Sequence, residues 1–373
     1  MKALKIDKPR KICRKFPQLG HIEYVDIPTP KPKPNEVLIS VRYCCICGTD
    51  FDVCRFNSKQ KSLFGGNVTY PNILGHEMSG VIVELGAFVT NFKIGDLVAV
   101  ESLIACGFCE YCLLGKRNQC SNVELLGLTK SGTFAEYVVV PSITCHSLLP
   151  LIKHNYSLDE ALIIGALLEP FGCAYNGIIN EMGGVNPGNN VVIFGLGPIG
   201  IYSGILSIVS GAVNVIGLDK NSERREWAIN NNFSYCLKQF NLSNIVKLSD
   251  NIVSLLEGNK ADIIIDASGN PKDVFPFIEK IGSPCSKVLV LSRSVLPVTF
   301  DTNSIVTNAI HIYGSRGHSG GMNYKMLIRI FAGRKINIKN LYGLVQDFNS
   351  LKELLSDENS RTLKKIVIKM GKE

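Results

Sequence analysis

The sequence predicts an α/β chain of two parts: a β-rich part followed by a parallel sheet of βαβ units. Three observations lead there. The chain has 373 residues, too long for one ordinary core and about right for two domains of roughly 150–200 residues each. Short strand patterns punctuated by glycine fill the chain as far as about Pro150. Beyond it, buried-strand runs alternate with helix-like segments, as in a sheet with crossover helices.

The elements follow in order. Glu36–Arg42 (EVLISVR) alternates apolar and polar residues, the period of a strand with one buried face. Gly80–Leu85 and Asp96–Val100 are short apolar runs rich in β-branched residues, set off by Gly75, Gly80, Gly86 and Gly95. Such spacing predicts a barrel-like or sandwich-like domain. Leu158–Ile179 carries helical apolar spacing. Asn190–Phe194, Val213–Leu218, Ala261–Asp266 and Lys287–Leu291 read as strands, and Ser222–Asn231 as a polar-faced helix. Gly183–Asn189 (GGVNPGN) is the strongest loop signal. From about Asp301 strand and helix signals mix, and pattern alone does not place the elements.

Composition narrows the function classes. Hydrophobic residues make up 46% and charged residues 19%, a globular balance. The longest apolar runs, such as Ile201–Val213, are broken by Ser and Gly and fall short of the ~20 residues of a membrane span. The N-terminus starts Met1-Lys2-Ala3-Leu4-Lys5 and stays basic through Lys15, without the apolar stretch of an export signal. The net charge of +8 is scattered over both ends with acids between. A solvated surface is expected, partly a pocket for an anionic cofactor, and no nucleic-acid or membrane partner. A zinc-ribbon nucleic-acid binder would need a concentrated basic stripe with aromatics, which is lacking. Thirteen cysteines, odd in number and clustered, argue for metal or catalytic thiolates in a cytoplasmic protein rather than for disulfides.

Cys106, Cys109, Cys112 and Cys120 have the spacing C-x2-C-x2-C-x7-C. Four thiolates this close can close a tetrahedron around one metal, with Gly107 and Gly115 for the tight turns. A soft four-sulfur set selects zinc, or less often iron–sulfur, and leaves no open position, so the site would be structural. A second set combines Cys47, His76, Glu77 and Glu169. Thiolate, imidazole and carboxylate can hold zinc while leaving the open position that catalysis needs. Asp50 would orient an imidazole ligand, and the Thr49 hydroxyl, which donates and accepts, would relay a proton.

Gly195-Leu196-Gly197-Pro198-Ile199-Gly200 matches G-x-G-x-x-G in the required context, after the strand ending at Phe194 and before an apolar helix. Such a turn brings backbone close to a pyrophosphate at a helix N-terminus. Asp219 ends the next strand, 19 residues beyond Gly200. An acid there bonds ribose hydroxyls and disfavours a 2′-phosphate, which favours NAD over NADP. Lys220, Arg224 and Arg225 follow at once and could offset that preference.

With these residues in hand, the chain resembles the medium-chain, zinc-containing alcohol dehydrogenase family along essentially its whole length. Gly75-His76-Glu77-x2-Gly80 with Gly86 looks like the family's zinc signature, and the four-cysteine lobe, Gly95-Asp96 and the glycine turn follow in family order. The resemblance implies a GroES-like catalytic domain with the structural zinc lobe over 1–165, completed by 301–373, and a Rossmann NAD(P)-binding domain over 166–300. It implies two zinc ions per chain, a small alcohol or ketone as partner, and a homodimer or homotetramer. Leu168-Glu169-Pro170 resembles the polyol (sorbitol) and threonine dehydrogenase branch, in which either Glu77 or Glu169 ligates directly. Thr49 matches the proton-relay hydroxyl, and Ser315 and Arg316 match a segment along the cofactor's nicotinamide half. That segment is also similar to one in relatives acting on cyclitols or aminocyclitols. One departure stands out: many relatives have His where this chain has Asp52. Either Asp52 replaces it, or Thr49 hands the proton to water or ribose. The expected reaction passes a hydride from a secondary alcohol (polyol, sugar, cyclitol or aminocyclitol) to NAD, with NADP possible. The alternatives are a threonine-type 3-hydroxy amino acid dehydrogenase and a non-catalytic cofactor-binding relic with only the structural zinc.

Overall fold

In the computed structural model, which describes residues 1–8, 18–56, 68–238, 244–294 and 297–371, the chain divides into two units. One is Met1–Glu169 with Ser319–Glu373, the other Pro170–His318. The basic N-terminal run as far as Lys15 lies partly outside the described residues.

The first unit is organised around the strand Glu36–Cys45. Its alternation places Val37, Ile39 and Val41 in one core with Ile82, Val98, Val100 and Val140. The strand pairs antiparallel with Glu77–Leu85, Tyr137–Pro141 and Ile366–Lys369, the centre of a seven-stranded sheet. The C-terminal tail, which pattern reading leaves unplaced, thus supplies a central strand. Its residues Ile366 and Ile368 enter the same core, and Leu344–Asp347 extends the sheet beside it.

A long helix, Leu158–Tyr175, runs on into a single wide π-type turn, Asn176–Glu181. By length and composition alone this stretch could cross a membrane, which corrects the expectation that every apolar run is too short. Most of it is buried within the protein, and Ser79 Oγ donates to its Leu162 carbonyl at 2.5 Å. A buried core helix accounts for the composition. Pro170 lies inside this helix rather than at a turn, where it removes one backbone donor.

The second unit carries a six-stranded parallel sheet: β1 (Asn190–Phe194), β2 (Asn214–Leu218), β3 (Tyr235–Leu237), β4 (Ala261–Asp266), β5 (Gly282–Val290) and β6 (His311–Gly314). The spatial order is β3-β2-β1-β4-β5-β6, the doubly wound arrangement whose order reverses between β1 and β4. All five residues of β1 are buried, Asn190 together with the apolar run of Val191, Val192, Ile193 and Phe194. Helix Pro271–Ile281 turns Val274, Phe277, Ile278 and Ile281 to the core, an i, i+3, i+4, i+7 stripe. The unit reaches His318 rather than residue 300, because β6 pairs with β5 and belongs to this sheet.

Candidate metal and cofactor sites

The central strand of the first unit ends at Cys45, opposite Glu77 on one side and Val367 on the other. Two residues on, Cys47 sits at the N-cap of the helix Gly48–Cys54 with extended backbone. Its N–H donates to Asp50 Oδ2 at 2.8 Å. Gly75 brings the next segment close. Its φ of +89° and a would-be Cβ only 2.5 Å from the Phe134 ring admit no other residue without strain. That turn delivers His76 and Glu77, and the ligand atoms of Cys47, His76 and Glu77 all lie within 4.8 Å of one another.

Asp50, 2% exposed, stands behind them. Its Oδ1 accepts from Gly75 N at 3.3 Å and faces His76 Nδ1 at 3.5 Å. The latter is an electrostatic contact at the outer limit of a hydrogen bond. Burial pushes the imidazole's pKa down, but the negative charges of Asp50 and Cys47 outweigh it and hold His76 well above its ordinary value. The negative charges that converge on this buried imidazole would suit a bound cation.

Glu77 is fully buried and has a partner that pattern reading missed. Lys365 Nζ lies 2.6 Å from its Oε1 and 2.5 Å from its Oε2, and donates to the Ile46 carbonyl at 3.0 Å. Burial raises the Glu77 carboxyl while the ammonium opposes that rise. Burial likewise disfavours the charged lysine, and the Glu77 carboxylate reverses the effect, so Lys365 lies above its ordinary value. Glu77 is therefore shared between Lys365 and the metal group. Glu169 falls outside the three-residue group. Its Oε1 accepts from Ser102 Oγ at 3.0 Å, and its charge reaches Glu77 and raises it.

Thr49 is half-buried in the first turn of the helix that Cys47 caps. Asp52, one turn further, is not poised as a base. Arg361 Nη1 and Nη2 donate to its two carboxylate oxygens at 2.5 and 3.2 Å. Each carboxylate oxygen thus accepts from one guanidinium nitrogen. Asp52, one of the two expected relays, is paired with Arg361.

In the lobe, the sulfur atoms of Cys106, Cys109, Cys112 and Cys120 lie within 4.8 Å of one another. Gly107 and Gly115 take φ of +84° and +77° in its turns. Cys106 N–H donates to Cys120 Sγ at 3.3 Å. Backbone N–H groups of Ser121 and Cys112 pull the Cys109 thiol down to about 6, whereas burial pushes Cys112 up to about 12. Four sulfurs so close together, with backbone donors favouring the Cys109 thiolate, suit a thiophilic dication.

In the second unit Gly195 has φ of +90°, and a Cβ on Gly200 would lie 1.9 Å from the Gly195 carbonyl. The glycines thus let the turn fold against the start of helix Pro198–Val209. Gly197 is its N-cap, and Pro198 and Ile199 fill its first turn. Asp219 closes the turn from the end of β2: Oδ2 accepts from Leu196 N and Oδ1 from Asn221 N, both at 2.8 Å. Arg224 Nη1 stands 3.8 Å from Asp219 Oδ2. Beyond β4, β5 and β6 lie Ser268, Ser292, Ser315 and Arg316. The buried Asp266 takes hydrogen bonds from Ser268 Oγ at 2.7 Å and Ser292 Oγ at 2.5 Å.

Comparison with known proteins agrees with this geometry. Residues 33–150 match the alcohol dehydrogenase GroES-like domain. The chain is 32% identical over 323 residues to scyllo-inosose 3-dehydrogenase of Thermotoga maritima, covering 82% of this chain and 79% of the relative. It is 32% identical over 317 residues to L-threonine 3-dehydrogenase of Pyrococcus horikoshii, covering 85% of each. The solved alcohol dehydrogenase TADH of Thermus sp. ATN1 superposes with a TM-score of 0.82 at 20% identity over 100% of both chains, a likeness of fold.

Proposed function

The chain belongs to the medium-chain, zinc-containing alcohol dehydrogenase family, and from that premise we propose that it transfers a hydride between a secondary alcohol and NAD. The observation that carries the proposal is the convergence of Cys47, His76 and Glu77 in front of Asp50. The substrate class we assign is a polyol, sugar, cyclitol or aminocyclitol, in line with the scyllo-inosose relative. Zinc held by Cys47 and His76, with Glu77 or Glu169 as third donor, would acidify an alcohol hydroxyl, and NAD would take the hydride. Asp50 keeps the His76 ring in register. Thr49 takes the hydroxyl proton and passes it to water or ribose, with Asp52 engaged by Arg361. Gly197, Ile199 and Gly200 would offer backbone N–H groups at a helix start to the pyrophosphate, with Gly195 closing the turn and Pro198 setting the first helical residue. Ser315 and Arg316 serve the other half of the cofactor.

A screen of polyols, sugars, cyclitols and hydroxy amino acids, followed by reduced-cofactor absorbance with NAD and NADP in parallel, tests the reading. No turnover with any of them would overturn it. The L-threonine relative favours the second reading, oxidation of a 3-hydroxy amino acid, and the same screen separates the two.

Metal analysis by atomic emission is expected to find two zinc ions per chain. Cys112→Ser should lose one of them and lower the melting temperature. A single zinc in the parent protein, held by the lobe, would instead identify a non-catalytic relic. Cofactor choice rests on Asp219, with Arg224 beside it as a ready partner for a 2′-phosphate. Asp219→Gly should improve kcat/KM for NADP about tenfold or more and weaken use of NAD. Unchanged discrimination would remove Asp219 from that role. We further assign a homodimer or homotetramer, to be checked by light scattering. Cysteines that must stay reduced to hold a metal need a reducing compartment, which supports a cytoplasmic setting.

A further inference from the structure

The order of the sheet in the second unit gives a bound dinucleotide a direction. Asp219 ends β2 and the glycine turn follows β1. A dinucleotide with its adenosine ribose at Asp219 and its pyrophosphate at the turn must continue over the carboxyl ends of β4, β5 and β6. Ser315 follows β6 there, its N–H on the Val290 carbonyl at 3.3 Å.

Ser315 is held from behind. Asn176 Nδ2 donates to Ser315 Oγ at 3.0 Å, and Asn180 Nδ2 donates to Asn176 Oδ1 at 3.0 Å. Asn176 is fully buried and opens the π-type turn Asn176–Glu181. Such wide turns are rare and gather at functional sites. The next residue, Gly177, brings the helix backbone against the strand ends. A Cβ there would meet Leu291 Cδ2 at 2.7 Å and Ser315 Cβ at 3.3 Å. A purely structural contact in so buried a place would be served by an apolar side chain, because a buried amide costs free energy unless both of its ends are satisfied. Here both ends are used, and the consequence falls on Ser315. Its oxygen accepts from the amide, which cannot use the hydroxyl proton and so favours its donation to a ligand.

We propose that Asn176 is a positioning residue: through Ser315 it presents a hydroxyl donor to an acceptor on the nicotinamide half of the cofactor. The inference rests on the assignment of Pro170–His318 as the dinucleotide-binding unit. The wide turn exists to bring the Asn176 amide within reach of that hydroxyl, and Asn180 sets which end of the amide faces it.

The test compares two probes by isothermal titration calorimetry on the full-length zinc-loaded protein. NADH spans both halves of the site, whereas ADP-ribose lacks the nicotinamide. Asn176→Leu, close in size, should weaken NADH by up to about tenfold, the worth of one hydrogen bond, and leave ADP-ribose within about twofold. Ser315→Ala should do the same, and the double variant should be no worse than either single one, since both break one path. KM for NAD should rise correspondingly in each. Equal weakening of both probes in Asn176→Leu would mean a general distortion and would overturn the proposal, as would unchanged NADH binding. If Asn176→Leu does not fold, Ser315→Ala decides alone, because it leaves the Asn176–Asn180 pair intact. A parent protein that binds neither probe would overturn the cofactor assignment itself, whereas parent binding with indifferent variants would overturn only the role of Asn176.

Discussion

Cys47→Ser is expected to lower kcat/KM by about 10³-fold or more, roughly 4 kcal/mol of transition-state stabilisation, while NADH affinity and fold stay intact. The argument separates two jobs of one residue. As the N-cap of the helix Gly48–Cys54, Cys47 acts through its backbone, whose N–H meets Asp50 Oδ2. Serine is among the best N-cap residues, so that job survives the substitution. As a metal donor, Cys47 acts through sulfur. A serine hydroxyl stays protonated at neutral pH and is a poor zinc ligand, so the group that includes His76 and Glu77 loses its softest member. Three measurements check this together. Steady-state kinetics should show the loss, atomic emission should fall from two zinc ions per chain to one, and NADH titration should not move. Normal turnover in the variant would sink the assignment of this centre. Loss of NADH binding along with turnover would point to misfolding instead.

What the sequence made legible is what is local in the chain. The cysteine lobe spans 15 residues, and any fold that closes its two glycine turns brings the sulfurs together. The glycine turn between β1 and its helix is equally local, and so is the pairing of Gly75 with His76 and Glu77. Cys47 and His76 are 29 residues apart in sequence, so their grouping rests on complementary ligand chemistry and on the resemblance rather than on local spacing. The contacts that modify the chemistry were not legible. Lys365 reaches Glu77 across 288 positions, and Arg361 reaches Asp52 across 309. Both come from the C-terminal tail, whose mixed periodicity gives no register. Only the pairing of Val367 with Cys45 fixes where Lys365 falls. A lysine next to an apolar run (Lys364-Lys365-Ile366-Val367-Ile368) reads as a solvated flank. The one clue against that reading is that the three residues after it, Ile366, Val367 and Ile368, are all core residues. Asn176 escaped for a different reason: a wide turn in the middle of a helical pattern leaves no mark in hydrophobic spacing.

Lys365→Met should be the most destabilising single change at this centre. It leaves the Glu77 carboxylate buried without its ammonium, and breaking a buried pair in this way costs about 3–5 kcal/mol, on the order of a 10 °C fall in melting temperature for a unit of this size. The dependence on pH identifies the cause. In the parent protein the Lys365 pKa is raised by Glu77, so its contribution is fully present below the ordinary lysine value and is lost only as pH rises through the folded one. In the variant the opposition of the lysine is gone, while burial and the Glu169 charge still raise the Glu77 carboxyl, which stands at about 7 rather than 4.5 even with the lysine present. A carboxyl raised in the folded state stabilises below its unfolded value and ceases to do so as pH climbs through the folded one. The melting temperature of Lys365→Met should therefore approach that of the parent near pH 5 and fall away from it by about pH 8, a sign opposite to that of an ordinary surface salt bridge. Adding Glu77→Gln should restore most of the stability at the higher pH, because the uncompensated charge is gone. Differential scanning calorimetry of the single and double variants at the two pH values, on zinc-loaded and chelator-treated protein, makes the comparison. A deficit that is equal at both pH values and is not relieved by Glu77→Gln would mean that Lys365 supports the centre by packing its methylene chain rather than by its charge.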